Sequence, residues 1–298
     1  MAPPAFDLTA LKALVPGLWP EAAKVFDAVK LALPLLGAVA VALRAVGRWQ
    51  LRRFLQGQLG SRLFPAAVME EATRWYVEPD CSNVDEAQEA ELRHAVVVKE
   101  PLVKKVDAYL QGDDRFRYLL LLADSGMGKT SFVLNYYAGK RGRFGLGRGR
   151  LQLAVIPLGH PRADDEIRRV KRPSDTILLL DALDEDPAAI SNYSVRLAEL
   201  MTLCAEFKKV VITCRTQFFP RDEEIPVQTG VLRVGPRRAG ERHEYEFWKL
   251  YLCAFTDAQV SAFLRKRYPW WQLRSRVRAR RLVSKIPLLT VSPLCQCG

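Results

Sequence analysis

The stretch Tyr118–Ser131, YLLLLADSGMGKTS, decides how the rest of the chain is read. Tyr118 to Ala123 is an apolar run with the make-up of a buried strand. Small residues follow as a turn, and a helix is predicted from Thr130 to about Tyr137. The turn ends in Gly126-Met127-Gly128-Lys129-Thr130, the second half of a phosphate-binding P-loop. Gly126 and Gly128 let the backbone approach an anion through turns closed to residues with a Cβ. The amides converge at a helix N-terminus, where the helix dipole also favours negative charge. Lys129 supplies a point charge for the β- and γ-phosphates, and Thr130 a hydroxyl ligand for Mg²⁺. The predicted cradle is therefore Ala123, Asp124, Ser125, Gly126, Met127, Gly128, Lys129, Thr130 and Ser131. Ala123 stands where such loops usually carry their first glycine.

A second apolar run, Thr176–Asp181 (TILLLD), reads as a central parallel strand, because such strands are buried on both faces. It ends in an acid and runs into Ala182-Leu183-Asp184-Glu185-Asp186. Asp181 is expected on the strand next to the P-loop strand, holding Mg²⁺ directly or through water. Glu185 is the first candidate to polarise an attacking water, and Asp184 the second. A third run, Lys209–Thr213 (KVVIT), is followed by Cys214-Arg215. Arg215 suits a γ-phosphate or the acidic loop. Leu151–Leu158 completes this set of strands, with His160 at its C-terminal end, where a loop-packing role is expected. Val231–Val234 reads as a fifth strand.

The flanks are less regular. The apolar run Leu31–Leu43 is 13 residues long, short of a bilayer's hydrocarbon core. Widened to 29–47 it nearly spans one but takes in Lys30 and Arg44. A membrane anchor and a buried helix of a small bundle are both open readings. Residues 76–95 are polar and acidic and read as a linker. An amphipathic helix is predicted from Leu102 to Leu110, since Leu102, Val106 and Leu110 share a face. After the P-loop helix, residues 139–150 form a Gly/Arg tract with the composition of a solvated loop. From Arg237 the pattern reads as helical: Tyr245–Leu252, Asp257–Tyr268, then Leu273 onward. Basic and aromatic residues mix over 265–281, a candidate nucleic-acid surface. The last 13 residues, IPLLTVSPLCQCG, are mostly apolar, which reads as a lid that is cut short.

Composition sets outer bounds. The 298 residues carry a formal charge of +12, which permits nucleic acid or an anionic surface as partner without requiring either. Six scattered cysteines form no CxxC pair, as in a reducing compartment.

With these motifs placed, the chain resembles the NACHT branch of the STAND class of P-loop NTPases. ADSGMGKTS at Ala123–Ser131 is similar to that family's P-loop except at Ala123. Leu178–Glu185 resembles its pattern of Mg²⁺ aspartate, tiny residue, apolar residue and acidic pair. Val211–Arg215 is similar to its sensor strand, which makes Arg215 the sensor. Lys285–Leu289 resembles the lid, which carries over Pro287 as a nucleotide contact. Val98-Lys99-Glu100 weakly resembles the lead-in near the adenine, without its glycine.

The resemblance implies an α/β P-loop NTPase core with a parallel sheet, a helical N-terminal region and an incomplete helical lid. The expected domains are 1–75, helical with a candidate anchor at 29–47; 76–116, linker and lead-in helix; 117–236, the NACHT core; and 237–298, the lid. It implies a signalling switch that binds ATP or ADP with Mg²⁺, hydrolyses ATP slowly and self-associates on activation. The expected location is cytoplasmic, with or without one N-terminal anchoring helix. A nucleic-acid-stimulated ATPase and a nucleotide-binding module without turnover are the alternatives. No winged-helix domain or sensor repeat follows the lid.

Overall fold

In the computed structural model, residues 19–84, 99–112, 116–140, 151–218, 231–234, 245–268 and 272–285 are described. The tract 141–150, the stretch 85–98, Trp270, Trp271, Pro287 and the last 13 residues lie outside them. Two compact units are present, residues 1–51 and 52–298.

The first unit contains most of helix α1 (Trp19–Gln58). Leu36, Leu43 and Trp49 are more than half exposed. These exposures give the buried-helix reading of the run no support. Among the described residues, no helix is long and apolar enough to cross a membrane, so the anchor expected at 29–47 gains no support.

The second unit is an α/β layer structure around a mostly parallel sheet. Its elements run α2 (Gly60–Leu63), α3 (Ala66–Arg74), β1 (Asp80–Ser82), β2 (Lys99–Pro101), α4 (Leu102–Gln111), β3 (Tyr118–Leu122), α5 (Lys129–Gly139) and β4 (Gln152–Pro157). Then follow α6 (Ala163–Arg168), β5 (Thr176–Asp181), α7 (Pro187–Ser191), α8 (Tyr193–Leu203) and β6 (Lys209–Cys214). The last are β7 (Val231–Val234), β8 (Tyr245–Leu252), α9 (Asp257–Arg267) and α10 (Leu273–Lys285). The strand order is β2-β1-β8-β3-β6-β5-β4, with β7 also paired to β8.

Strands β8, β3, β6, β5 and β4 are parallel, while β1, β2 and β7 are antiparallel additions. Every residue of β3, β5 and β6 is buried. This is the pattern of strands covered on both faces, and it explains their unbroken apolar runs. On one face Leu120, Leu122, Leu178, Leu180, Val210 and Ile212 pack against Ile167 of α6 and Leu197, Leu200 and Met201 of α8.

Three expectations change. First, β6 lies between β3 and β5, so the strand that ends in Asp181 is not the immediate neighbour of the P-loop strand. Second, Tyr245–Leu252 is strand β8, not helix, and it is the fifth parallel strand. Its sequence YEFWKLYL is rich in aromatics that favour strands, and β3 on one side with β1 and β7 on the other supply its ladder bonds. Val231–Val234 is a strand as expected, but an antiparallel one. Third, the expected linker contains β1, paired with both β2 and β8.

Candidate functional site

The parallel strands end together, and the ladder continues past their tips. Ala123 donates its N–H to the Cys214 carbonyl at 3.1 Å, and Thr216 donates to the Ala123 carbonyl at 3.3 Å. Leu158 donates to the Asp181 carbonyl at 2.8 Å. These bonds hold the loops after β3, β6, β5 and β4 around a cleft of about 580 Å³. Its walls include Gly126, Gly128, Lys129, Thr130, Ser131, Asp181, Asp184, Glu185 and Arg215. All nine are residues that the sequence marks as site candidates. Ser125 also lines the cleft, but Ala123, Asp124 and Met127 do not.

The loop after β3 is shaped by its glycines. Gly126 (φ 77°) and Gly128 (φ 88°) both have left-handed backbones, open to glycine at no steric cost. Gly128 caps α5, so the free amides of the first helical turn face the cleft side of the loop. Lys129 folds over its own loop, donating from Nζ to the carbonyls of Ala123 at 3.1 Å and Asp124 at 3.4 Å. Burial holds its ammonium below the ordinary lysine range, while Asp184, Cys214 and Asp181 oppose this.

Asp181 is the buried acid of the cleft. It accepts from the Thr213 hydroxyl at 2.7 Å and is also hydrogen-bonded to the Thr130 side chain. Thr213 in turn accepts from the Ala182 N–H at 2.8 Å. Burial raises the Asp181 carboxyl above the ordinary range, against the pull of Thr130, Thr213 and Lys129. A hard cation would relieve that cost. Thr130 and Asp181 offer only oxygen donors, which suits Mg²⁺ when phosphate oxygens and water complete its shell. Among the described residues no cluster of three or more His, Cys, Asp or Glu could hold a metal by itself.

The residues that follow take different roles. Ala182 (φ 60°) is the non-glycine residue with a left-handed backbone among those described, a strained position beside the acid. Asp184 is buried and taken up by Arg215, whose Nε lies 2.6 Å from Oδ2 and whose N–H donates to Oδ1 at 3.0 Å. Of the two alternatives for Arg215, the structure has the acidic-loop pairing. Asp186 caps α7 through the Ala188 N–H at 2.9 Å and accepts from Arg196 Nε at 2.7 Å. Arg196 also forks onto Asp164 at 2.6 and 3.1 Å. Of the three acids at 184–186, that leaves Glu185 as the one that neither Arg215 nor Arg196 holds, and it lines the cleft.

Glu185 rests against Gly159. A Cβ at Gly159 would stand 3.3 Å from the Glu185 Cβ and 3.4 Å from its carbonyl oxygen. The β4 and β5 loops thus approach closely here, and a Cβ at Gly159 would press on Glu185. His160 also lines the cleft, with Nδ1 accepting from the Arg162 N–H at 3.1 Å. It both packs its own loop and faces the site. The placement of Gly159-His160 just after an apolar strand was the signal available for both residues.

The opposite wall was not foreseen. Leu63, Phe64, Pro65, Val68 and Ala72 of the α2–α3 region line it. Asn135 of α5 ties α3 down by donating to the Ala72 carbonyl at 2.9 Å. Lys99 and Glu100, the weak match to an adenine lead-in, form β2 and are absent from the cleft wall. Pro287 lies outside the described residues. No protein-family model and no curated protein matches the chain.

Proposed function

We propose that this chain is a nucleotide-binding signalling switch of the NACHT type. It takes ATP or ADP with Mg²⁺ into the cleft and hydrolyses ATP slowly. One observation carries this reading: Lys129, Thr130, Asp181, Glu185 and Arg215 come from the ends of three strands and line one cleft beside a glycine-shaped helix N-terminus. An anion held there meets main-chain amides, an ammonium and the helix dipole together.

The roles follow from the contacts. The amides of Gly126 to Thr130 bind the phosphates, and Lys129 turns from its loop carbonyls to the β- and γ-phosphates. Thr130 and Asp181 would hold Mg²⁺, which neutralises charge between those phosphates. Glu185 orients the attacking water. Arg215 reads the γ-phosphate once it exchanges Asp184 for that more highly charged partner, so the Arg215–Asp184 pair is the resting contact of the sensor. Helices α9 and α10 stand for the lid, with Pro287 beyond them, and self-association follows the exchange of ADP for ATP.

Calorimetric titration of the full chain with MgATP and MgADP tests the reading. Both nucleotides are expected to bind, and Lys129→Ala to weaken them by roughly 30-fold, the loss of a charge-assisted contact. Unchanged affinity in that variant sinks the proposal. Retained binding with no turnover would point instead to a module without hydrolysis. A second reading draws on α10, where Arg274, Arg278 and Arg281 are exposed at helical spacing. It is a nucleic-acid-stimulated ATPase, supported only if DNA or RNA accelerates turnover with a steep salt dependence.

A further inference from the structure

The loop after β4 lines the cleft with Pro157, Gly159, His160 and Pro161. Its backbone closes on itself. The His160 N–H donates to the Pro157 carbonyl at 3.1 Å, and the Ala163 N–H donates to the His160 carbonyl at 3.0 Å. The ring of Pro161 fixes one more backbone angle. The half-buried His160 side chain is held too, because the Arg162 N–H donates to its Nδ1 at 3.1 Å. A neutral imidazole has one donor nitrogen and one acceptor. With Nδ1 accepting, Nε2 carries the proton. Among the described residues, Nε2 has no hydrogen-bond partner.

We propose that His160 is a second reader of the terminal phosphate: it donates from Nε2 to a γ-phosphate oxygen and so favours ATP over ADP. The inference rests on the nucleotide reading above and adds a residue to it. Topology gives the placement. Strand β4 pairs with β5, on the side of β5 away from β3 and its glycine loop. His160 therefore stands on the bank of Asp181 and Glu185. Glu185 runs along the same loop, with Oε2 3.6 Å from where a Cβ at Gly159 would stand. A nucleotide whose inner phosphates rest on the amides of the glycine loop directs its outermost phosphate across the cleft, toward the metal and the attacking water. A donor at the β4 tip meets that phosphate and leaves the inner ones to the other bank.

Arg215 and His160 reach the same group at different cost. Arg215 must first leave Asp184, whose Oδ2 lies 2.6 Å from its Nε. His160 has no bond to break, because the Arg162 N–H occupies only the other nitrogen. The loop that carries it is fixed before any ligand arrives, so little freedom is lost when the new bond forms. Hydrogen bonds to an ionised acceptor are the strong ones.

Two substitutions separate the two nitrogens. Asn puts an acceptor oxygen where Nδ1 stands and can bond the N–H two residues on, but it has nothing at Nε2. Gln reaches the Nε2 position with an amide donor and leaves the Arg162 N–H unbonded. The test is calorimetric titration of the full chain, His160→Asn and His160→Gln. The ligands are MgADP and the magnesium complex of adenylyl imidodiphosphate, an ATP analogue that is not cleaved at its γ-phosphate. Melting curves check the folds. His160→Asn should lose roughly 10-fold toward the triphosphate analogue, the weight of one hydrogen bond to a charged group, and less than about 2-fold toward MgADP. His160→Gln should melt lower yet keep the wild-type ratio of the two affinities within about 3-fold. An unchanged ratio in His160→Asn, whether both affinities hold or both fall together, overturns the proposal and leaves the ring as a loop-packing side chain. If His160→Asn does not fold, His160→Gln decides, and loss of the wild-type ratio there overturns the proposal. If wild type binds neither nucleotide, the nucleotide reading itself fails and takes this inference with it.

Discussion

The loop after β3 and the loop after β5 face the same cleft but are built from different materials. The first is a backbone device: two left-handed glycines, a helix N-terminus, and a lysine resting on its own carbonyls. The second is a side-chain device: Asp181, Asp184 and Asp186 are each buried or capped and held by Thr213, Arg215 and Arg196. The first can reshape around a ligand at little cost, because few side-chain bonds must break. The second is held in place before any ligand arrives. On the proposed reading, the first loop takes the phosphates and the second presents its charge to them already in place.

The largest effect that would test this contrast lies at Glu185, the acid among 184–186 that neither Arg215 nor Arg196 holds. Glu185→Gln should lower ATP turnover by roughly 10²- to 10⁴-fold with nucleotide affinity retained, read by phosphate release and by titration. Equal turnover would place the base elsewhere.

The side-chain device can be broken at Arg196. Arg196→Met leaves Asp186 buried without its partner, and a loss of about 3 kcal/mol in unfolding free energy is expected by denaturant titration. A loss under about 1 kcal/mol would mean that the loop is held by its backbone after all.

Asp181 gives a pH test. Its folded-state carboxyl is raised by burial, so its contribution is full below the ordinary carboxyl value of about 4 and is lost as pH rises through the raised value. Melting temperatures of the ligand-free protein should therefore fall relative to Asp181→Asn as pH rises from about 4 to 7. MgADP should reverse the order. Parallel profiles for the two proteins would deny the buried charge.

The smallest effect concerns Ala182. Its left-handed backbone costs about 1 kcal/mol, most of which Ala182→Gly should recover, offset in part by glycine's greater freedom when unfolded. A net gain of about 0.5 kcal/mol is expected by thermal melting.

The parts legible in the sequence share one property: they are short and local. The runs of β3, β5 and β6 are unbroken because both faces are covered, and the glycine-lysine-threonine turn needs specific residues at fixed offsets. What depends on distant packing was not legible. Tyr245–Leu252 has an apolar pattern that fits a helix as well as a strand, and its neighbours in the sheet decide the matter. Leu63, Phe64 and Val68 read only as part of a helical N-terminal region, since nothing local says that they face a cleft. The insertion of β6 between β3 and β5 is likewise a matter of topology that no single motif encodes.

The fork of Arg196 has a mechanical consequence. It rivets the segment after β5 to the helix that follows the β4 tip, through Asp186 on one arm and Asp164 on the other. The loops carrying Glu185 and His160 are thereby cross-linked through one guanidinium. The opposite bank is tied differently: the Asn135 amide bonds α3 to α5, Arg52 pairs with Glu70 of α3, and α9 grips the backbone near Tyr76.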